Sequence, residues 1–181
     1  ILGMQGGTEK VMAAYQEMKD KNGAVAGLWL QDWVGQRKTS FGKQLWWNWE
    51  LDNDRYENWG KMLAGLNNDD VNVLTYINPF IAQLEDKHTV QKNQFNELLE
   101  KGFLVKTQNG EPYLIENTSF SAGLIDLSNP AARRWIKQVI KDELIASGAS
   151  GWMADFGEAL PYDSKLHSGT PVESHNRYAE E

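Results

Sequence analysis

Largely apolar runs and amphipathic stretches alternate along this chain. The runs at 24–30 and 71–77 have the composition of parallel strands that are covered on both faces. Shorter runs begin at residues 1 and 151, and between the runs apolar positions recur every three or four residues. Strand, helix and strand in this order predict parallel strands joined by right-handed crossovers, as in an α/β sheet or barrel.

The amphipathic stretches are bounded by capping residues, glycines and prolines, which mark helix ends. Residues 34–52 have no clean period and are interrupted by glycines, so they predict a long loop that carries Trp46, Trp47 and Trp49. The predicted helices lie at about 8–22, 54–66, 86–101 and 130–147.

After the third predicted strand, the spacing of apolar positions changes from every three or four residues to every second residue. Two stretches that read as strands, 103–107 and 112–116, flank Asn109 and Gly110, and Asn-Gly between such runs is a strong hairpin signal. We therefore predict a small β-hairpin inserted at about 81–128, within one domain that spans residues 1–181.

Charge and composition narrow the classes of function. The net charge of -7 disfavours nucleic acid as a partner, because binding a phosphate backbone needs a basic face. No apolar stretch is long enough for a membrane span. The chain has no cysteine, and its three histidines lack metal-ligand spacing, so neither a metal nor another cofactor is expected. A cytoplasmic location is predicted, and the open edges expected of half a barrel leave room for a homo-oligomer.

Polar side chains follow the predicted strands at their carboxyl ends. Gln31, Asp32 and Trp33 follow the second strand, and Asp155 follows the last, with Gln5 and Asn78 after the other two. In barrel enzymes the active site is built at this end of the strands. We therefore expect these groups to face one pocket. On spacing alone, Asp155 and Glu158 fit a turn and a helix N-cap equally well.

The stretch GWMADFGE at 151–158 resembles the nucleophile motif of glycoside hydrolase family 31. The resemblance implies a (β/α)8 TIM barrel, of which this chain carries roughly the first four strands, and it implies that Asp155 is the catalytic nucleophile. Retaining hydrolysis also needs a second carboxyl group about 5 to 5.5 Å away. In the family this acid/base Asp follows a later strand, so the chain alone is expected to be inactive. Glu158 is expected to orient a neighbour or to cap the next helix.

Further motifs place the resemblance in the bacterial sulfoquinovosidase branch, long labelled α-glucosidases: LWLQDW at 28–33, TSFGK at 39–43, YINPF at 76–80 and DLSNP at 126–130. The resemblance implies that Gln31 helps to bind the sugar and that Trp47 helps to bind a sulfonate. Asp32 is expected to accept hydrogen bonds from sugar hydroxyls, with Trp33 beside it.

One position departs from this branch. Sulfoquinovosidases carry an Arg three residues before the sulfonate-binding Trp, where this chain has Gln44. A neutral amide offers weaker hydrogen bonds to an anion than a guanidinium does. Either Lys43 or Arg37 compensates for the missing charge, or the substrate is a neutral α-glucoside.

The sequence therefore predicts a retaining glycoside hydrolase that cleaves small-molecule α-glycosides. Two alternatives remain open, a sulfoquinovosidase and a non-catalytic carbohydrate-binding barrel. An unrelated barrel such as a metal-dependent aldolase is disfavoured, because clustered histidines and acids are lacking. Trp29 and Trp152 lie inside predicted strands, where core packing is favoured, although Trp152 is kept among the candidate sugar contacts.

Overall fold

The fold consists of a sheet of four parallel strands, a three-stranded antiparallel sheet, a two-stranded hairpin and the helices that connect them. The computed structural model describes residues 1–84, 87–88, 90–117 and 119–180. In chain order the strands are β1 (Leu2–Met4), β2 (Gly27–Leu30), β3 (Gln36–Thr39), β4 (Gly42–Leu45), β5 (Asn72–Ile77), β6 (Phe80–Ala82), β7 (Leu114–Asn117), β8 (Phe120–Leu124) and β9 (Gly151–Ala154). The helices are α1 (Thr8–Asp20), α2 (Trp59–Asn68), α3 (Gln94–Lys101), α4 (Pro130–Val139) and α5 (Pro171–Ser174).

The main sheet has the order β1-β2-β5-β9, and all three pairings are parallel. In its registers Leu28 faces Val73, and Tyr76 faces Met153. Leu28, Val73 and Tyr76 are buried, which explains why these strands read as apolar runs rather than as alternating ones. Helices α1, α2 and α4 connect successive strands of this sheet. The carboxyl ends of its four parallel strands therefore lie at one edge, as predicted.

The loop predicted for residues 34–52 contains a hairpin that the sequence did not reveal. Strands β3 and β4 pair antiparallel from Gln36 and Leu45 to Thr39 and Gly42. Gly42 adopts a φ of +102°, which the tight turn requires. Most side chains of both strands are polar and partly or fully exposed, so no alternation of apolar and polar residues marks the hairpin.

The region between β5 and α4 contains α3 and an antiparallel sheet of order β6-β8-β7. The turn predicted at Asn109 and Gly110 is present, because the backbone N–H of Thr107 donates to the backbone oxygen of Glu111 at 2.7 Å. The two predicted strands that flank this turn are joined by an isolated bridge between Lys106 and Pro112. Strand β7 pairs along its whole length with β8 instead. Strand β8 is thus the central strand of this sheet, and its last three residues are buried.

Three predicted helices have different ends. Helix α2 begins at Trp59 rather than at 54, because Asp52 caps a separate turn and Asn58 adopts a left-handed φ of +55°. Helix α3 begins only at Gln94, and residues 86 and 89 of the helix predicted at 86–101 lie outside the described residues. Helix α4 continues into a wider π-helical turn over Ile140–Ile145. No helix of the described residues is long and apolar enough to cross a membrane.

Candidate active site

A cavity of about 310 Å³ lies at the carboxyl end of the main sheet. Elements distant in sequence contribute to it, namely the ends of β1, β2, β5 and β9, the hairpin β3–β4, and strands β7 and β8. Most of its polar lining consists of side-chain amides, with Lys43 as the cationic and Asp155 as the anionic side chain. The lining residues are Gln5, Gln31, Gln36, Lys43, Gln44, Leu45, Trp47, Tyr76, Asn117, Phe120, Asp155 and Phe156.

Asp155 leaves the sheet at the end of β9 and reaches this cavity. Its backbone N–H makes a hydrogen bond of 3.1 Å to Ile77, which continues the ladder between β5 and β9. The Tyr76 hydroxyl donates to Asp155 Oδ2 at 2.9 Å and accepts a bond of 3.3 Å from Asn78 Nδ2. Burial raises the pKa of Tyr76 well above its usual range, and the Asp155 charge adds to the rise. The hydroxyl therefore keeps its proton and orients the carboxylate.

The turn after β9 excludes the alternative in which Asp155 or Glu158 caps a helix. Residues 155–158 form no helix, and the next one, α5, begins at Pro171 with Thr170 as its cap. The expectation that Glu158 caps that helix is therefore wrong. The exposed Asp155 carboxylate faces the cavity rather than a helix end.

A chain of amides connects the first two strands with the hairpin. Gln36 Nε2 donates to Gln5 Oε1 at 2.9 Å, and Gln5 Nε2 donates to Gln31 Oε1 at 2.7 Å. Arg55 Nη2 anchors the other end by donating to Gln36 Oε1 at 2.9 Å. Because Gln31 accepts through its oxygen, its amide nitrogen is the group suited to a ligand oxygen.

Asp32 and Trp33 lie beneath the cavity rather than in its wall. Both are fully buried. Asp32 accepts hydrogen bonds from the Gly6 N–H at 3.0 Å, from Arg55 Nε at 2.6 Å and from the Tyr56 hydroxyl. Trp33 Nε1 donates to the backbone oxygen of Tyr76. The predicted direct sugar contacts of these two residues are therefore corrected to a supporting role.

Another part of the cavity lining is aromatic. Trp47 is nearly buried and stacks on Phe80 with 5.1 Å between ring centroids. Phe120 meets Trp47 edge-on at 5.2 Å. Such rings offer an apolar face with a polar edge, which suits the faces of a sugar.

The two cations considered as substitutes for the missing Arg have different surroundings. The Arg37 guanidinium lies between the rings of Trp46 and Phe120, at 4.1 and 3.9 Å from their centroids, and connects the hairpin β3–β4 with β8. Lys43 and Gln44 line the cavity. Lys43 is therefore the cation placed to meet a ligand.

A second, more apolar groove of about 490 Å³ lies beside β9 and shares Asp155 and Phe156 with the cavity. Trp152 and Glu158 line this groove and do not line the cavity. Trp152 is 38% exposed on β9, the last strand of the described sheet, so the core packing predicted for it is not present within this chain.

The structure therefore brings Gln31, Gln44, Trp47 and Asp155 together in the cavity. Sequence reasoning gave Tyr76 no role, although the residue opens the YINPF motif at 76–80 and lies near the end of β5. Among the described residues, no group of three or more His, Asp or Glu is arranged to hold a metal ion.

The chain matches one family model and is similar to curated relatives from two bacteria. Residues 3–180 match the family model of the glycosyl hydrolases family 31 TIM-barrel domain. The sulfoquinovosidase of Escherichia coli strain K12 is 41% identical over 178 residues, covering 98% of this chain and 25% of that protein. The sulfoquinovosidase of Agrobacterium fabrum is 33% identical over 180 residues, covering 98% and 26%.

A solved structure agrees with these matches. The family 31 sulfoquinovosidase from E. rectale, in complex with the aza-sugar inhibitor IFGSQ, superposes with a TM-score of 0.88 at 38% identity, covering 98% of this chain and 26% of that one. The chain thus spans about a quarter of the length of the curated relatives it matches. Its parallel sheet is part of a TIM barrel, as predicted, and the chain belongs to glycoside hydrolase family 31.

Proposed function

We propose that the protein carrying this chain hydrolyses α-glycosides with retention of configuration, and that Asp155 is its nucleophile. The observation that supports this most strongly is the Asp155 carboxylate, which ends a barrel strand inside a cavity and is oriented there by the Tyr76 hydroxyl. A nucleophilic carboxylate needs both access to the substrate and a fixed direction.

In the proposed reaction an Asp155 oxygen attacks the anomeric carbon and forms a glycosyl ester. The bond from that carbon to the leaving-group oxygen breaks, and this oxygen takes a proton from a second carboxylic acid. Water then attacks the same carbon, gives its proton to the second group and releases the Asp155 carboxylate. A later strand of the barrel supplies that second group in this proposal.

The remaining lining would bind the sugar. The amide nitrogen of Gln31 would donate to a hydroxyl, while Gln44 can donate or accept. Trp47 would contact an apolar face of the ring. The cavity volume of about 310 Å³ lies within the range of small-molecule sites.

The test uses the complete protein and para-nitrophenyl α-glucoside, with the configuration of the first product followed by NMR. We expect the α-anomer first, and Asp155→Asn should lower turnover at least about a thousandfold. Asp155→Gly with added azide should yield the β-glycosyl azide, because azide attacks from the face that Asp155 has vacated. A β-configured first product, or full activity of Asp155→Asn, would refute the assignment. Binding of the glucoside without turnover by the wild type would favour the non-catalytic alternative.

A second candidate substrate is an α-sulfoquinovoside. The relatives at 41% and 33% identity are sulfoquinovosidases, and Lys43 provides a positive charge in the cavity. The neutral Gln44 argues for a neutral sugar instead. The observation to make is the ratio of kcat/KM for the two para-nitrophenyl glycosides.

Lys43→Met tests the role of the charge. If Lys43 binds a sulfonate, this variant should lose about tenfold or more of the preference for the sulfoquinovoside, because hydrogen bonds to charged groups contribute about 1.5–3 kcal/mol. Lys38 faces Lys43 across the hairpin but does not line the cavity, so Lys38→Met is the matched control. Equal losses in both variants would mean that only the overall charge matters.

A further inference from the structure

The residue directly after the proposed nucleophile has an unusual backbone. Phe156 adopts a φ of +63°, in the left-handed region that bulky side chains rarely enter. The next residue, Gly157, is packed so closely that a Cβ there would lie 2.2 Å from the Cβ of Ala179. The chain therefore turns sharply at Asp155. A glycine at 156 would make this turn without strain, so the ring is retained at a conformational cost.

The ring of Phe156 packs into the aromatic wall of the cavity. Its centroid lies 5.6 Å from that of Trp47 and 6.0 Å from that of Phe80. Phe156 also lines both the cavity and the groove beside β9, so the ring stands between them. The backbone that carries Asp155 is thus attached to the wall that would contact the sugar.

We propose that Phe156 is a positioning residue for the reaction. The packing of its ring on Trp47 and Phe80 holds the left-handed turn, and the turn aims the Asp155 carboxylate into the cavity. Tyr76 fixes one oxygen of that carboxylate, whereas Phe156 fixes the backbone from which it projects. This inference rests on the proposed role of Asp155 as nucleophile.

The expected effect follows from the geometry of attack. A displacement of about 1 Å in a reacting group can lower a rate by about 10². A smaller, flexible side chain at 156 would relax the turn but leave Gln31 and Gln44 in place. Turnover should therefore fall much more than substrate binding.

The experiment measures kcat and KM of the complete protein, per titrated active site, with whichever of the two para-nitrophenyl glycosides the wild type turns over faster. For Phe156→Leu we expect kcat to fall by about 30- to 100-fold while KM changes less than about threefold. Phe156→Tyr keeps the ring and should stay within about threefold of the wild type. Phe95→Leu is the control for a lost packed ring, because Phe95 in α3 is buried even more deeply than the partly buried Phe156 and lines neither cavity.

Each other outcome overturns the inference. An unchanged kcat in Phe156→Leu, or a raised KM at constant kcat, would show that the ring does not position the nucleophile. An equal fall in Phe95→Leu would show general loosening of the fold. If Asp155→Asn retains activity, the proposed function itself fails. If that variant is inactive and Phe156→Leu matches the wild type, only the positioning role fails.

Discussion

Removal of the Tyr76 hydroxyl should slow the second half of the proposed reaction more than the first. This hydroxyl donates to Asp155 Oδ2 at 2.9 Å, and Tyr76→Phe deletes it while keeping the buried ring. The Asp155 carboxylate loses its charge when the ester forms and regains it when the ester is hydrolysed. A hydrogen bond to the charged form therefore stabilises the transition state of hydrolysis more than the state before it.

The size of the effect can be estimated from the contact. Hydrogen bonds to charged groups contribute about 1.5–3 kcal/mol, and the exposed Asp155 can recruit water in place of the hydroxyl, which favours the lower end. About 1.5 kcal/mol corresponds to roughly tenfold in rate. We expect kcat of Tyr76→Phe to fall about tenfold, with a smaller fall in kcat/KM, because the ester accumulates and lowers KM.

The assay is steady-state kinetics of the complete protein combined with rapid-quench detection of a product burst. Tyr15→Phe is a matched control, because the Tyr15 hydroxyl donates to Asp69 Oδ2 at the same 2.9 Å but lies between α1 and α2. That variant should leave kcat unchanged. A Tyr76→Phe variant with wild-type kcat and no product burst, or one whose only change is a higher KM, would show that the hydroxyl does not assist hydrolysis of the ester.

The remaining predictions concern the support beneath the cavity. Arg55→Met should lower the free energy of unfolding by about 3–5 kcal/mol in urea titrations, because the fully buried Asp32 would lose its guanidinium partner. A loss below about 1 kcal/mol would contradict this. Gly35→Ala should cost about 1–3 kcal/mol by the same measurement, since φ is +82° and a Cβ would lie 2.1 Å from Asp52 Oδ2; wild-type stability would be the contrary result. Burial raises the pKa of Glu50 above its ordinary value of 4.5, so its contribution to stability is present below pH 4.5 and is lost as pH rises through the raised pKa. The free energy of unfolding of the wild type, relative to that of Glu50→Gln, should therefore fall as pH rises from 4 to 7. If the two proteins change in parallel with pH, the Glu50 carboxyl group does not have a raised pKa.

The sequence predicted the elements whose burial is reflected in local composition. Strands β2 and β5 are apolar runs because parallel strands are covered on both faces, and α4 begins where Asn129 and Pro130 indicate. The hairpin β3–β4 escaped prediction because its strands are mostly polar and partly exposed. Its pairing depends on tertiary contacts, such as the Arg37 guanidinium against Phe120, that no local window contains.

The same distinction holds for the site. Asp155 could be predicted from the end of a strand together with a family motif. The burial of Asp32 could not, because its partners Arg55 and Tyr56 lie 23 and 24 residues away in the chain. The bond between Tyr76 and Asp155 joins residues 79 apart, across the pairing of β5 with β9. Adjacent strands fix that contact, and the sequence shows only that both residues lie near strand ends.

The most direct test of the account is to locate the glycosyl ester itself. The complete protein would be inactivated with a fluorinated α-glycosyl fluoride of the preferred sugar, digested and analysed by tandem mass spectrometry. If Asp155 is the nucleophile, we expect one added sugar on the peptide that contains residues 151–158, with the mass shift at Asp155 and none in Asp155→Asn. A label on Glu158 or on a residue outside this peptide would contradict it, as would turnover of the natural sugar with no trappable ester.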